Sequence, residues 1–254
     1  LQQGGYQTAL FGKWHLQSQP QGFDHWKILP GQGLYYNPDF VGPDSTSQVE
    51  GYCTDLITDM TVQWLKNTRD PAKPFMLMCQ HKAPHRTWMP ALRHLYLYDD
   101  VEIPEPDTLF DKWEDNASPA REQEMEIDRH LDPHYDLFVD LTPDFVGEAI
   151  QQRQDRSALE NLKRFTPQQL EAWRAAYGPK DEAFHRTKPE GRDLVRWKYQ
   201  RYAKNYLRSI KGVDESVAQV MQTLDELGLT ENTIVIYSSD QGFYVGDHGW
   251  YDKR

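Results

Sequence analysis

The sequence predicts an α/β fold, a mostly parallel sheet flanked by helices. Three observations carry this. Residues 8–11, 75–79 and 233–238 form short, continuously apolar runs, the pattern of strands buried on both faces. Each run ends in a cluster of Lys, His or Asp, and the carboxyl ends of strands are where open α/β sheets bind ligands. Two of the runs follow directly on amphipathic helical patterns, as crossover units on a parallel sheet do.

In chain order, Leu1 to Gly5 reads as a helix end with a glycine C-cap, followed by the first strand and the block Gly12-Lys13-Trp14-His15. Residues 20–43 are rich in Gly, Pro and aromatics and read as irregular, with the aromatics packing loops. Residues 54–68 repeat apolar side chains at helical spacing (Leu56, Ile57, Met60, Trp64, Leu65), with Thr54 as a capping residue. The strand at 75–79 leads into His81, Lys82 and His85. Residues 87–192 are the least regular part, with short helices expected at 122–134 and 166–177. Residues 193–227 carry the longest helical stripe, from Val195 to Leu227, with Gly212 allowing a bend and Gly228 a natural C′ residue. That helix feeds the last strand, after which come Asp240, Gln241, His248 and Lys253.

Composition narrows the function classes. The chain has 254 residues, enough for one large α/β domain, and a net charge of −11 that disfavours nucleic acid as a partner. Its mean hydropathy is −0.81, and no apolar run approaches the roughly 20 residues of a membrane span. An anion site here must be a local cationic pocket in an acidic protein. Two cysteines, Cys53 and Cys79, permit one disulfide and leave the redox compartment open. The carboxylate of Asp240 and the amide oxygen of Gln241 are hard donors that suit Ca²⁺, or less well Mg²⁺, and suit zinc poorly.

The blocks Gly12-Lys13-Trp14-His15, Lys82-Ala83-Pro84-His85 and Ser239-Asp240-Gln241-Gly242 with the following Lys253, in this order, resemble the sulfatase family of the alkaline phosphatase superfamily. The resemblance implies an alkaline-phosphatase-like mixed, mostly parallel sheet sandwiched by helices. It implies one partial catalytic domain over 1–254 with no second domain, in which residues 87–192 elaborate the active-site rim. The chain is expected to be truncated at both ends. The implied activity is hydrolysis of sulfate esters, on a sulfated carbohydrate of the N-acetylglucosamine-6-sulfate kind, by a formylglycine nucleophile with Ca²⁺.

Carried over by motif, Lys13 contacts the sulfate, His15 is the candidate base, His85 faces the ester and leaving oxygen, and Lys253 binds sulfate. Asp240 and Gln241 bind calcium. His248 and Lys82 are candidate substrate-binding residues, and His81 lies at the edge of the same set. Gln241 departs from the commoner Asp-Asn pair but keeps the amide oxygen. The formylglycine is expected upstream of residue 1, because neither Cys53 nor Cys79 is followed by the Pro and Arg of the family motif, and Ser118-Pro-Ala-Arg has the wrong spacing. The sequence by itself is expected to be inactive. The family implies a periplasmic, extracellular or lysosome-like compartment. Two alternatives stay open: a phosphodiesterase or phosphonate monoester hydrolase of the same superfamily, and a non-catalytic binding protein on the same scaffold.

Overall fold

The computed structural model describes residues 1–143 and 157–253, and the part of segment 87–192 that falls on 144–156 lies outside the described residues. The chain divides into two compact units. The first holds residues 1–85, 163–165 and 210–235, and the second holds 86–162, 166–209 and 236–254.

The first unit is built on a five-stranded mixed sheet in the order β4-β3-β2-β1-β5. These are β1 (Gln7–Lys13), β2 (His25–Leu29), β3 (Asp39–Val41), β4 (Thr46–Gln48) and β5 (Phe75–Gln80). Strand β1, between β2 and β5, runs parallel to both, and β3 and β4 add antiparallel pairs. Alternation along β1 splits its side chains between the two faces. Ala9 and Phe11 pack with Cys53 and Ile57 of helix α1 (Cys53–Gln63) and with Leu224, whereas Leu10 packs with Trp26 and Ile28. Helix α1 continues into a π-helical turn over Trp64–Thr68 that buries Trp64 and Leu65.

The second unit contains α2 (Ser118–Glu122), α3 (Ser157–Lys163, ending within the first unit), α4 (Pro167–Thr187) and a hairpin of β6 (Tyr244–Val245) and β7 (Tyr251–Asp252). Its core gathers Trp88, Leu109, Ile127, Leu131, Leu137, Val195 and Tyr199 with Tyr202 and Tyr251. The long helix α5 (Gly191–Glu226) serves both units, its residues to Ser209 in the second and those from Ile210 in the first.

Several expectations hold. The strands β1 and β5, the helix α5 and its left-handed Gly228 (φ 66°) all fall where the pattern puts them. Helix α4 begins as its sequence suggests, with Thr166 and Gln169 forming a reciprocal capping box ahead of Pro167, but runs ten residues further than the expected end at 177, to Thr187. Gly212 does not break α5; a Cβ there would meet the Tyr52 ring at 3.4 Å, so the glycine serves close packing.

Others are corrected. The apolar run 233–238 is not a strand: among the described residues nothing pairs with it, and Ile234, Ile236 and Tyr237 are 91%, 84% and 73% exposed. Apolar composition favours burial, but a strand also requires a hydrogen-bonded neighbour. Residues 123–134 are not helical. Glu126 forms a bridge to Trp250, Tyr251 N–H donates to Met125 C=O and Ile127 N–H to Gly249 C=O, so this segment spends its backbone groups on the β6–β7 hairpin and buries Met125 and Ile127. Strands β2, β3 and β4 occupy or adjoin the segment 20–43 that reads as irregular. The N-cap of α1 is Tyr52, with no side-chain cap; Thr54 lies inside the helix.

Candidate active site

Two of the basic blocks leave neighbouring strands at the same end. The β1–β5 register pairs Gly12 with Gln80, so Lys13 and His81 follow directly on paired positions. Gly12 sits at φ 113°, and a Cβ there would lie 1.9 Å from the Gln80 carbonyl oxygen; only glycine lets the strands meet at this point. Lys13 is half-buried. Trp14 turns back, its indole N–H donating to Ser18 C=O at 2.8 Å and its ring edge-on to Phe23. His15 is exposed in the left-handed region at φ 55°. A non-glycine residue held there is a local cost of the kind found at functional sites.

The His81–His85 segment turns partly inward. The Lys82 ammonium is buried, 3.2 Å from Gln32 C=O and 4.9 Å from the Tyr35 ring centroid. The Tyr35 hydroxyl donates to His85 C=O at 2.7 Å, and His85 N–H donates to Lys82 C=O at 3.0 Å, so the backbone carrying His85 is fixed at both its polar groups. His81 Nε2 lies 2.9 Å from Ser216 Oγ and 3.6 Å from Cys79 Sγ, while its Nδ1 is buried without a hydrogen-bond partner among the described residues. Burial pushes the His81 imidazole down to about 4, only partly opposed by Asp55, so it is neutral near pH 7.

Both cysteines are withdrawn from chemistry. Cys53 is buried, and its thiol is pushed up to about 12 by desolvation, against the opposing charge of Lys82. Desolvation also raises Cys79. Neither presents a thiolate, in line with the absence of the motif around them.

In the second unit, Asp240 and Gln241 are exposed on the polar turn after residue 238. Ca²⁺ takes six to eight oxygen ligands. Asp240 and Gln241 fit calcium in donor type and supply two side-chain oxygens toward that number. Among the described residues no group of three His, Cys, Asp or Glu side chains could hold a metal. His248 and Lys253 sit on and just after the β6–β7 hairpin. Its loop is closed by Gly246 N–H donating to Trp250 C=O at 2.9 Å; a Cβ on Gly246 would meet the Tyr199 ring at 2.5 Å. His248, at φ 59°, has Nδ1 2.9 Å from an Asp111 carboxylate oxygen and its ring edge-on to Trp113. Lys253 is half-buried and directly follows the buried Asp252.

The family model named Sulfatase matches residues 1–253. This chain belongs to the sulfatase family. Across its whole length it is 44% identical to N-acetylglucosamine-6-O-sulfatase of Bacteroides thetaiotaomicron, and 98% of it aligns at 27% identity with arylsulfatase of Volvox carteri. Its fold matches, at a TM-score of 0.89 and 43% identity over 99% of the chain, the solved structure of BT4656 in complex with its substrate D-glucosamine-2-N,6-O-disulfate. The chain spans 45% and 33% of the two sulfatases and 50% of the solved one. The α/β fold expected of a sulfatase is therefore the fold observed.

What the sequence reading of this sulfatase chain missed is a buried ion network in the second unit. Arg86 forks onto Asp136 at 2.6 and 2.7 Å and comes within 4.0 Å of Asp252. The signal was present: Arg86 directly follows His85 and Asp252 directly precedes Lys253, two charges inside motifs that already supplied the site residues.

Proposed function

We propose that the protein to which this chain belongs hydrolyses the 6-O-sulfate ester of a glucosamine-type sugar. The observation that carries the reading is the exit of the Lys13–His15 and His81–His85 blocks from the same ends of paired parallel strands, in a chain 44% identical to an N-acetylglucosamine-6-O-sulfatase. Formylglycine, when present, supplies the covalent nucleophile of this chemistry. The chain's own residues supply charge and protons. Lys13 and Lys253 bind sulfate oxygens and offset their charge. His85, on a backbone held by Tyr35, donates a proton to the leaving sugar oxygen. His15, exposed beside Lys13, accepts a proton as base. Asp240 and Gln241 would contribute two of the oxygens around a bound Ca²⁺, whose charge would offset that of the sulfate ester's anionic oxygens. Lys82 and His248 are second-rank substrate contacts, since Lys82 is committed to Gln32 and Tyr35, and His248 to Asp111.

The test uses the full-length protein made in a host that forms formylglycine. Sulfate release is measured from glucosamine 6-O-sulfate, glucosamine 2-N-sulfate and an aryl sulfate, and alcohol release from a phosphodiester. The 6-O-ester should be preferred, and His85→Ala should lower kcat/KM about 10²- to 10⁴-fold, the range for a positioned proton donor. Preference for the phosphodiester, or full activity in His85→Ala, would overturn the reading.

A further inference from the structure

Arg86 has no role in the chemistry above, yet the second unit invests heavily in it. The guanidinium is 8% exposed, and its fork meets Asp136, which is fully buried and also accepts from Asp132 N–H at 2.9 Å. The third nitrogen, Nη1, lies 4.0 Å from the Asp252 carboxylate, and the guanidinium carbon lies 5.2 Å from the Tyr251 ring centroid. Asp252 is 1% exposed, is held at φ 68°, and donates its N–H to the Tyr202 hydroxyl at 3.3 Å.

Burying two carboxylates around one guanidinium carries a desolvation cost that apolar residues of like volume would avoid. A left-handed aspartate adds a backbone cost. Beside the ion network, Tyr251 packs with Trp88 and Tyr202 in an apolar core. Direction, rather than stability, is what such an arrangement can supply. The bidentate fork on Asp136 fixes the guanidinium plane, the guanidinium charge faces the Asp252 carboxylate at 4.0 Å, and the next peptide carries Lys253.

We propose that Arg86, held by Asp136 and acting through Asp252, is a positioning residue that sets the direction in which Lys253 presents its ammonium to an anionic oxygen. This rests on the reading of Lys253 as a sulfate-binding residue. It assigns Arg86, Asp136 and Asp252 to the anion clamp without any of them touching the substrate.

The experiment titrates inorganic sulfate into the full-length protein by calorimetry, a readout that needs no turnover. Asp252→Asn keeps the shape and removes the charge, and should weaken sulfate binding about ten- to hundredfold, the scale of a misplacement near 1 Å. Arg86→Lys keeps the charge and loses the fork, and should weaken it likewise. The decisive variant is the double substitution Asp252→Asn with Lys253→Ala. If Asp252 acts through Lys253, the double variant binds sulfate no worse than Lys253→Ala alone. Wild-type affinity in Asp252→Asn overturns the proposal, and so does a double variant whose losses add. Should Arg86→Lys fail to fold, the Asp252 variants decide. The activity assay is read separately: loss of sulfate affinity in Asp252→Asn supports the positioning role even where no sugar sulfate is hydrolysed.

Discussion

At the scale of single residues, the structure separates two kinds of histidine that look alike in the sequence. His81 and His85 lie four positions apart in one strand-end block. His81 turns toward Ser216 and Cys79, and burial lowers its pKa to about 4, whereas His85 has its backbone fixed by Tyr35. This gives a stability signature. The unfolded chain takes up a proton at His81 near pH 6.5, and the folded chain does so only near 4. Between those values the unfolded state holds more protons, so the His81 contribution is full above about pH 6.5 and is lost as pH falls toward 4. The loss is on the order of 3 kcal/mol across the window, at 1.36 kcal/mol per unit. Thermal unfolding followed from pH 7 to 5 should show Tm falling in the wild type, with a flatter dependence in His81→Gln. Parallel curves for the two would remove His81 as the cause. The sequence showed these histidines as one cluster because the contact that turns His81 inward is made by Ser216, which is 135 positions away.

At the scale of elements, legibility followed the source of each element's stability. Strand β1 and helix α5 are encoded locally, by an apolar run in one and a sustained stripe in the other, and both were visible. Strand β2 was not, because His25-Trp-Lys-Ile-Leu29 is bracketed by Gly and Pro turns and exists through its parallel register with β1. The run 233–238 erred in the opposite direction, apolar enough to announce a strand yet unpaired among the described residues. Residues 125–127 were drawn from a helical pattern into pairing with 249–251. The contact of Gly12 with Gln80 gives a sharp test at this scale. A methyl group at Gly12 would require β1 and β5 to separate where they deliver Lys13 and His81, and the positive φ adds strain. Gly12→Ala should destabilise by about 3 kcal/mol, within the upper range for a single substitution, measured by denaturant midpoint at unchanged m. A change under about 0.5 kcal/mol, the level of a neutral surface substitution, would mean that the strands do not meet so closely.

At the scale of the whole molecule, the candidate site residues are spread along the chain more widely than any one motif. Lys13, His15 and His85 belong to the sheet unit, and Asp240, Gln241, His248 and Lys253 to the other. The sequence placed each residue type in order, but not the buried Arg86–Asp136–Asp252 network, whose members are 50 and 116 positions apart. It also left the metal set partial. Asp240 and Gln241 offer a single carboxylate and a single amide, and calcium affinity rises with the number of charged ligands and the rigidity of the site. Residues 1–254 by themselves should therefore bind Ca²⁺ only weakly, with Kd around 10⁻³ M or above by calorimetry. Asp240→Ala should abolish even that, since it removes the charged donor. The same 254 residues should release no sulfate from glucosamine 6-O-sulfate, because Cys53 is buried at the start of α1 with its thiol pushed up to about 12 and Cys79 is raised by burial. The full-length protein should bind Ca²⁺ far more tightly and lose calcium-dependent turnover in Asp240→Ala. Tight calcium binding by residues 1–254 that survives Asp240→Ala would place the metal elsewhere, and metal-dependent turnover by those residues alone would mean that the chain carries an attacking group other than its two cysteines.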